Sequence, residues 1–572
     1  LATTRLRPDA RATRRAPSDR ALREVMRTRF GIAQWRPGQA ESVRRIFDGR
    51  PTLTVMPTGA GKSLCWQLPA LFLPGLTVVV SPLIALMKDQ ADALHEAGIA
   101  ALQFNSTRSA SERAADRAAL AANSLDARIV FTTPEQLTDA EFVAVLEARG
   151  VSLFVIDEAH SISQWGHDFR PAYLELGAAI ERLGRPTVFA MTATATDEVA
   201  HDIRRQLRLP GMAIVNTGMF RPNLHYDVIP VRHQDKGATM VSLVRDVRGC
   251  AIVYAATIRG AEEARDILEA SGLSCELYHG RLSKTERTAA QERFMSGEVP
   301  LIVATQAFGM GIDKEDIRHV LHWQMPGSLE AYYQESGRAG RDGGPARCTL
   351  LYDPKDKAVQ KFFLANRYPS AEDVHAIWHC LPPSDAAQGR SLDELLEMPL
   401  QIANAKRRVA LRLLIAHGHA QQEPQDARYR RTDAEPDAEA LAELYRKRAQ
   451  NDHDVLERMV AYAQTALCRW QTLLRHFGTG LAAERCGHCD NCDRPIEPAQ
   501  ESQAASSAWS PPPLENAPFR VGDAVRVLRY GPGTVADVGD DRITVSFPSG
   551  QTRIFVSRFV RKSGRSRQRD AA

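Results

Sequence analysis

Between residues 51 and 215, short unbroken apolar runs alternate with longer stretches whose apolar residues recur at helical spacing. The runs cover 53–55, 76–80, 127–131, 153–156 and 187–191. Apolarity without alternation marks strands buried on both faces, and helices between such strands make the sheet parallel. The rhythm restarts at 250–254, 274–278, 300–304, 319–322 and 349–352. Two α/β domains in tandem are predicted.

Past residue 361 the strand signal stops. Residues 370 to about 467 read as helices, among them 400–417 with its basic trio Lys406, Arg407 and Arg408, and a Gln/Pro/Arg-rich stretch interrupts them near 421–431. Residues 496–518 are rich in Ala, Ser and Pro and read as a linker. In 519–562 Val, Ile and Phe alternate with polar residues between glycine turns, which predicts a small β-barrel before a basic tail at 563–572.

A length of 572 residues implies about three to five folded units. No apolar run approaches the ~20 residues that span a bilayer, so no membrane role is expected. Six arginines precede Arg23 with no apolar segment behind them, so residues 1–20 read as a disordered basic arm and not as a secretory signal. A net charge of +4 permits nucleic acid as a partner without arguing for it. Five of the nine cysteines are scattered, and Cys468, Cys486, Cys489 and Cys492 lie close together. That usage fits a reducing, cytoplasmic setting in which the cluster holds metal.

The chemistry-bearing segments fall at strand ends. MPTGAGKS, residues 56–63, follows the first predicted strand and precedes a helix. Such a loop closes backbone amides around phosphate oxygens. Thr58, Gly59 and Gly61 would shape it, Lys62 would meet the β- and γ-phosphates of ATP, and Ser63 would ligate magnesium. DEAH, residues 157–160, closes the run 153–156. Asp157 would reach the same magnesium and Glu158 would orient or deprotonate the attacking water. In the second block, QESGRAGRDG at 334–343 carries Arg338 and Arg341. These are candidates for an arginine finger across a domain cleft, against the plainer reading of a solvated glycine-rich loop.

With these motifs in order, residues 25–360 resemble the superfamily-two helicase core of the RecQ family, two RecA-like domains. FGIAQWRPGQ (30–39) resembles the family's adenine-reading segment, which implies that Arg36 and Gln39 bind the nucleotide. SPLIALMKDQ (81–90) and TTPE (132–135) resemble its strand-contacting motifs, and MTATAT (191–196) its coupling motif. IVYAATIR, YHGRLS and VATQAFGMGIDKEDIRHVLHW match the second domain's series. The resemblance implies that His160 couples hydrolysis to DNA. It also implies movement from three-prime to five-prime on single-stranded DNA, with tailed or forked duplexes as substrates in repair and recombination, in a nucleoid-associated bacterial protein.

SISQWGHDFRPAY, residues 161–173, follows DEAH directly. Its Trp165, His167, Phe169 and Arg170 are suited to stacking on unpaired bases, each worth ~1–3 kcal/mol. The cysteines read C-x17-C-x2-C-x2-C, the ligand set of a closed tetrahedral zinc site. An iron–sulfur cluster competes, weakened because no cysteine follows Cys492. The arrangement resembles the RecQ zinc subdomain.

The chain departs from that family by inserting residues 366–450 ahead of the zinc subdomain (451–495). The insert reads either as a displaced winged helix gripping duplex DNA or as a helical spacer with a solvated basic face. Residues 519–560 resemble the Tudor-like barrel of UvrD/PcrA-type helicases, which implies a protein partner such as RNA polymerase or a repair factor. Arg526, Arg529, Arg542 and Arg553 make DNA contact a comparable reading. The expected activity is an ATP-dependent DNA helicase. Its rivals are a translocase that strips proteins from DNA, an RNA helicase and a dead motor fold.

Overall fold

The computed structural model describes residues 16–105, 110–122, 127–163, 171–309, 312, 314–386, 388–423, 428–493, 519–527, 530–539, 542–548, 550–557 and 560–563. These fall into two compact units. One comprises Leu1–Trp323, Glu330–Leu351 and Ala461–Ala572, the other Gln324–Leu329 and Tyr352–Val460.

The first unit holds two mostly parallel sheets in succession. The first sheet has strands β1 (Thr52–Val55), β2 (Leu76–Val80), β3 (Ala101–Phe104), β4 (Ile129–Thr132), β5 (Val151–Ile156), β6 (Thr187–Thr192) and β7 (Ala213–Asn216), ordered β3-β4-β2-β5-β6-β1-β7 with every pairing parallel. Neighbouring residues of one strand feed opposite cores. Val78, Val80, Phe154 and Ile156 enter one apolar cluster, and Val79, Leu153 and Val155 enter the other. Burial on both faces is why these strands read as unbroken apolar runs.

The second sheet has β8 (Leu224–Pro230), β9 (Cys250–Tyr254), β10 (Glu276–Tyr278), β11 (Leu301–Ala304), β12 (Ile317–His322) and β13 (Ala346–Tyr352), ordered β10-β11-β9-β12-β13-β8. Three strands escaped the sequence pattern, β3, β7 and β8. β3 and β7 are half-exposed edge strands, and β8 carries His225 and Asp227 among its apolar residues. The sequence bounds the two RecA-like domains at 21–210 and 211–365; because β7 pairs with β1, the first sheet runs on to Asn216. Helix Asp19–Phe30, capped by Ser18, likewise takes the last two residues assigned to the basic arm.

In the second unit, helix Ala371–Cys380 is followed by β14 (Arg390–Ser391), helices Leu392–Glu397 and Asn404–Ala416, then β15 (Ala420–Gln422) and β16 (Arg428–Arg431). The strands form an antiparallel sheet ordered β14-β16-β15. Helix, strand, helix, helix, strand, strand is the element order of a winged helix. The all-helical reading of 370–467 is corrected here, because strands of two to four residues are too short to display alternation. The unit also takes helix Asp356–Ala365, so its start lies before residue 366.

The basic trio is corrected too. Arg407 is buried and donates to the carbonyls of Leu395, Leu396, Met398, Leu400 and Ile402, closing the turn that leads into its own helix. Lys406 pairs with Asp373 at 3.0 Å. Only Arg408 faces outward, joined one helical turn on by Arg412.

The C-terminal part is a five-stranded antiparallel sheet, β17 (Ala524–Val527), β18 (Gly531–Val538), β19 (Arg542–Ser546), β20 (Thr552–Val556) and β21 (Val560–Lys562), ordered β20-β19-β18-β17-β21. It folds around Val525, Val527, Ile543, Val545 and Phe555, consistent with a small barrel. A Cβ on Gly533 would meet the Val545 side chain at 2.6 Å, so the sheet requires glycine at that crossing. Arg529, the linker 496–518 and the tail 564–572 lie outside the described residues.

Candidate functional site

The loop after β1 is tied to its sheet where Met56 N donates to Thr192 O at the end of β6. Gly59 and Gly61 sit at φ +80° and +76°, a conformation glycine adopts without steric cost. Lys62 is half-buried and its Nζ donates to Met56 O (3.1 Å) and Pro57 O (3.3 Å). Burial pushes its pKa down, opposed by the nearby carboxylates of Glu158 and Asp157. Gln39 Nε2 donates to Ala60 O and Gly61 O, and a Cβ on Gly61 would stand 2.6 Å from that nitrogen. Arg36 N donates to Gln39 Oε1, and its guanidinium bonds Gly59 O. Arg36 and Gln39 therefore hold the loop after β1 directly.

Asp157 leaves β5 with its amide bonded to Val80 O, so the carboxyl projects from the sheet's C-terminal edge. It is 4% exposed, and burial beside Glu158 pushes its pKa up to about 7. Two adjacent carboxyls at one strand end suit a divalent cation, and Ser63 and Asp157 line the same cavity. Glu158 adopts φ +48°, a left-handed conformation that a non-glycine residue keeps only where its surroundings enforce it. His160 Nδ1 lies 3.0 Å from Thr192 Oγ1 and 3.3 Å from Glu158 Oε2, linking this corner to the MTATAT segment.

One cavity is lined by Thr58, Gly59, Gly61, Lys62 and Ser63 from the first sheet's loop, by Asp157 and Glu158, and by Arg338 and Arg341 from the second domain. The opposing loops touch. A Cβ on Gly59 would lie 3.1 Å from Arg341 Cγ, and one on Gly337 3.4 Å from Thr58 Cβ. Arg338 is 4% exposed, and among the described residues its Nε has no hydrogen-bond partner. Leu86, Gln90, Gly309, Ile312 and Gln334 also line the cavity and were not singled out from the sequence. Gln90 hydrogen-bonds Asp157, and its place in SPLIALMKDQ was the available signal. Trp165, His167, Phe169 and Arg170 lie outside the described residues. Just beyond them, buried Tyr173 donates its hydroxyl to Asp157 O at 3.3 Å.

The four clustered cysteines meet. Their sulfurs all lie within 4.8 Å of one another, and Cys486 and Cys492 are 3.8 Å apart. A tetrahedral ion with bonds of ~2.3 Å places its sulfurs about 3.8 Å apart, so the set fits zinc. Hydrogen bonds from the Cys486 and Cys489 thiols draw the Cys468 pKa down to about 3, while Cys486 is pushed up by sharing the same protons. Amides of Arg469, Gln471 and His488 donate to the sulfurs of Cys489, Cys468 and Cys486. The knuckle is sewn to edge strand β8. Tyr226 N donates to His488 O, Val228 N to Asp490 Oδ2, and Trp470 Nε1 to Leu224 O. Fully buried Arg469 clamps Asp490 at 2.9 Å. The C-terminal sheet reaches the same zinc subdomain through a bridge between Thr465, ahead of Cys468, and Phe555.

Family comparisons agree with this layout. A DEAD/DEAH box helicase model matches residues 36–203, a helicase conserved C-terminal domain model 235–343, and a RecQ zinc-binding model 424–493. "ATP-dependent DNA helicase RecQ" of Bacillus subtilis (strain 168) is 46% identical over 338 residues, covering 59% of this chain and 56% of that protein. The namesake from Pasteurella multocida (strain Pm70) is 39% identical over 366 residues, covering 63% and 57%. "Probable ATP-dependent DNA helicase RecS" of B. subtilis is 36% identical over 378 residues, covering 66% of this chain and 75% of that protein. The chain thus spans little more than half of the two RecQ proteins and three quarters of RecS. With both helicase domains and the zinc subdomain matched in order, the chain belongs to the RecQ family.

Proposed function

We propose that this protein is an ATP- and magnesium-dependent DNA helicase that moves three-prime to five-prime on single-stranded DNA and separates duplex ahead of it. The observation that carries this reading is the shared cavity, in which Lys62 and Ser63 from one domain face Arg338 and Arg341 from the other. A triphosphate seated there would join both domains, so its cleavage would change their fit.

Each residue has a task. Gln39 and Arg36 read the base while holding the loop that grips the phosphates. Lys62 exchanges its two carbonyl partners for phosphate oxygens. Magnesium, held by Ser63 and Asp157, would neutralise charge on the phosphate oxygens. Glu158 orients or deprotonates the attacking water. Arg338 and Arg341 stabilise the charge that develops in the transition state, a contribution worth ~10³–10⁵ in rate. His160, bonded between Glu158 and Thr192, transmits the chemical state to the DNA-contacting segments. Zinc in the four-cysteine site is structural, because no coordination position stays open.

The winged-helix element order in the second unit favours a helicase over a translocase that does not unwind. Arg408 and Arg412 form an outward stripe on helix Asn404–Ala416, suited to duplex phosphates. The arginines of the wing strand β16 are committed within the unit. Arg428 bonds Gly389 O, Arg430 pairs with Glu423 and Arg431 stacks on Trp378.

Unwinding of a three-prime-tailed duplex by the full chain tests the proposal. Strand release dependent on ATP and magnesium supports it. Hydrolysis stimulated by single-stranded DNA with no release would retire unwinding, and stimulation by RNA alone would retire DNA as the track.

A further inference from the structure

The loop that carries Arg338 and Arg341 does not hold its shape unaided. It is gripped by residues 217–223, the strap that runs from β7, an edge of the first sheet, to β8, an edge of the second. Arg221 reaches the loop with its whole guanidinium fork. Nη1 donates to Gly337 O at 2.8 Å, and Nη2 donates to Ala339 O at 2.8 Å and to Gly340 O. Asn223 Nδ2 donates to Gly340 O and Gly344 O, both at 2.9 Å, and its own carbonyl accepts from Ala346 N. The acceptors bracket both arginines of the cavity.

Gly340 shows how tight this grip is. It adopts φ +55°, and a Cβ there would stand 2.6 Å from Asn223 Nδ2 and 2.6 Å from Gly344 O. Its amide donates to Ile317 O at 2.8 Å, so the glycine between the two arginines is pinned from the sheet side and the strap side at once. The strap is itself fixed by Tyr333, whose hydroxyl donates to Met219 O at 2.7 Å. A planar fork that meets three carbonyls cannot be replaced by the single ammonium of lysine.

We propose that Arg221 and Asn223 are positioning residues that set the register of Arg338 and Arg341 against the phosphate loop. They do so from the connection that any relative movement of the two domains must deform. The proposal rests on the reading of the cavity as an ATPase site. It adds that the tether between the domains and the catalytic arginines form one mechanical unit. Neither residue lines the cavity.

The test uses the full chain with Arg221→Lys, Asn223→Ala, Arg341→Ala and the double variant Arg221→Lys/Arg341→Ala. ATP turnover with single-stranded DNA is measured alongside amide hydrogen exchange of residues 337–344. For Arg221→Lys and Asn223→Ala we expect kcat to fall about 10- to 100-fold with KM for ATP within threefold of wild type. In the Arg341→Ala background, Arg221→Lys should lower kcat less than threefold further. Exchange in 337–344 should rise at least tenfold while the amides of β1 and β5 stay protected. Unchanged exchange in both single variants overturns the proposal, as does a kcat loss that multiplies in full with Arg341→Ala. Absence of ATP turnover in the wild type would instead retire the ATPase reading, and the exchange data would still decide whether the strap holds the loop.

Discussion

Arg341 lies against Gly59: a side chain carried by the second domain closes over a backbone turn belonging to the first. The space a Cβ would need on Gly59 is taken by the Arg341 stem at 3.1 Å, and the backbone there is already at φ +80°. One position thus answers both to the loop's own geometry and to the opposing domain.

Gly59→Ala should therefore injure the site twice. A left-handed alanine costs about 1–2 kcal/mol, and Arg341 must withdraw besides. We expect kcat/KM for ATP to fall at least tenfold while the unfolding temperature drops by only a few degrees. Steady-state hydrolysis and thermal melting check this, and wild-type turnover would show that the two domains do not meet here.

Lys62→Ala should abolish turnover without weakening the fold. Lys62 is a half-buried cation whose pKa desolvation lowers, so removing it relieves that cost and takes no residue from the apolar core. A hydrolysis rate reduced at least ~10²-fold, with an unfolding temperature equal to or above wild type, is the expected pair of results.

Zinc should be present at one ion per chain and should hold the edge of the second sheet. Cys489 bridges to Tyr226 on β8, so losing the ion frees that strand's hydrogen bonds as well as the knuckle. Cys489→Ser should bind no zinc by metal analysis and melt about 5–10 °C lower. A variant that keeps its zinc or its full stability would contradict the assignment.

His225 gives the same junction a pH dependence. It sits between Asp227, 3.3 Å from Nδ1, and Asp493, 2.8 Å from Nε2, and these carboxylates, Asp227 foremost, push its pKa up to about 9. A raised folded-state pKa stabilises in full below the ordinary value near 6.5, and this is lost as pH rises through about 9. The difference in unfolding temperature between wild type and His225→Gln should shrink steadily from pH 6.5 to pH 10. A difference that is constant or grows would be contrary.

Much of the two-sheet fold was legible before the structure. Strands buried on both faces announce themselves because every residue must be apolar, and the loops that follow them carry residues that line the cavity. The rest was hidden for stated reasons. β8 mixes His225 and Asp227 into an edge strand because a zinc knuckle, distant in sequence, supplies its outer partners. Arg407 read as part of an outward basic face, gripping duplex or solvated, yet its guanidinium bonds five carbonyls of a buried turn, which charge patterning cannot reveal. Arg221 and Asn223 sit in a strap with no periodicity, and their importance lies entirely in what they touch.

For the second unit, Arg408→Ala with Arg412→Ala should weaken duplex binding about tenfold and reduce its salt dependence by about two phosphate contacts. ATP hydrolysis driven by single-stranded DNA should stay near wild type. Arg407→Met, by contrast, strips five carbonyls of a buried partner and should cost about 3 kcal/mol or more of stability. Equal effects from all three arginines would undo the distinction between outward and inward charge.

The decisive measurement is single-turnover ATP hydrolysis by Arg341→Ala beside equilibrium binding of a non-hydrolysable ATP analogue, both with single-stranded DNA present. Near-normal analogue affinity with hydrolysis slowed about 10³-fold is what a cavity walled by both domains requires. Hydrolysis at the wild-type rate would contradict it, leaving the second domain outside the chemistry.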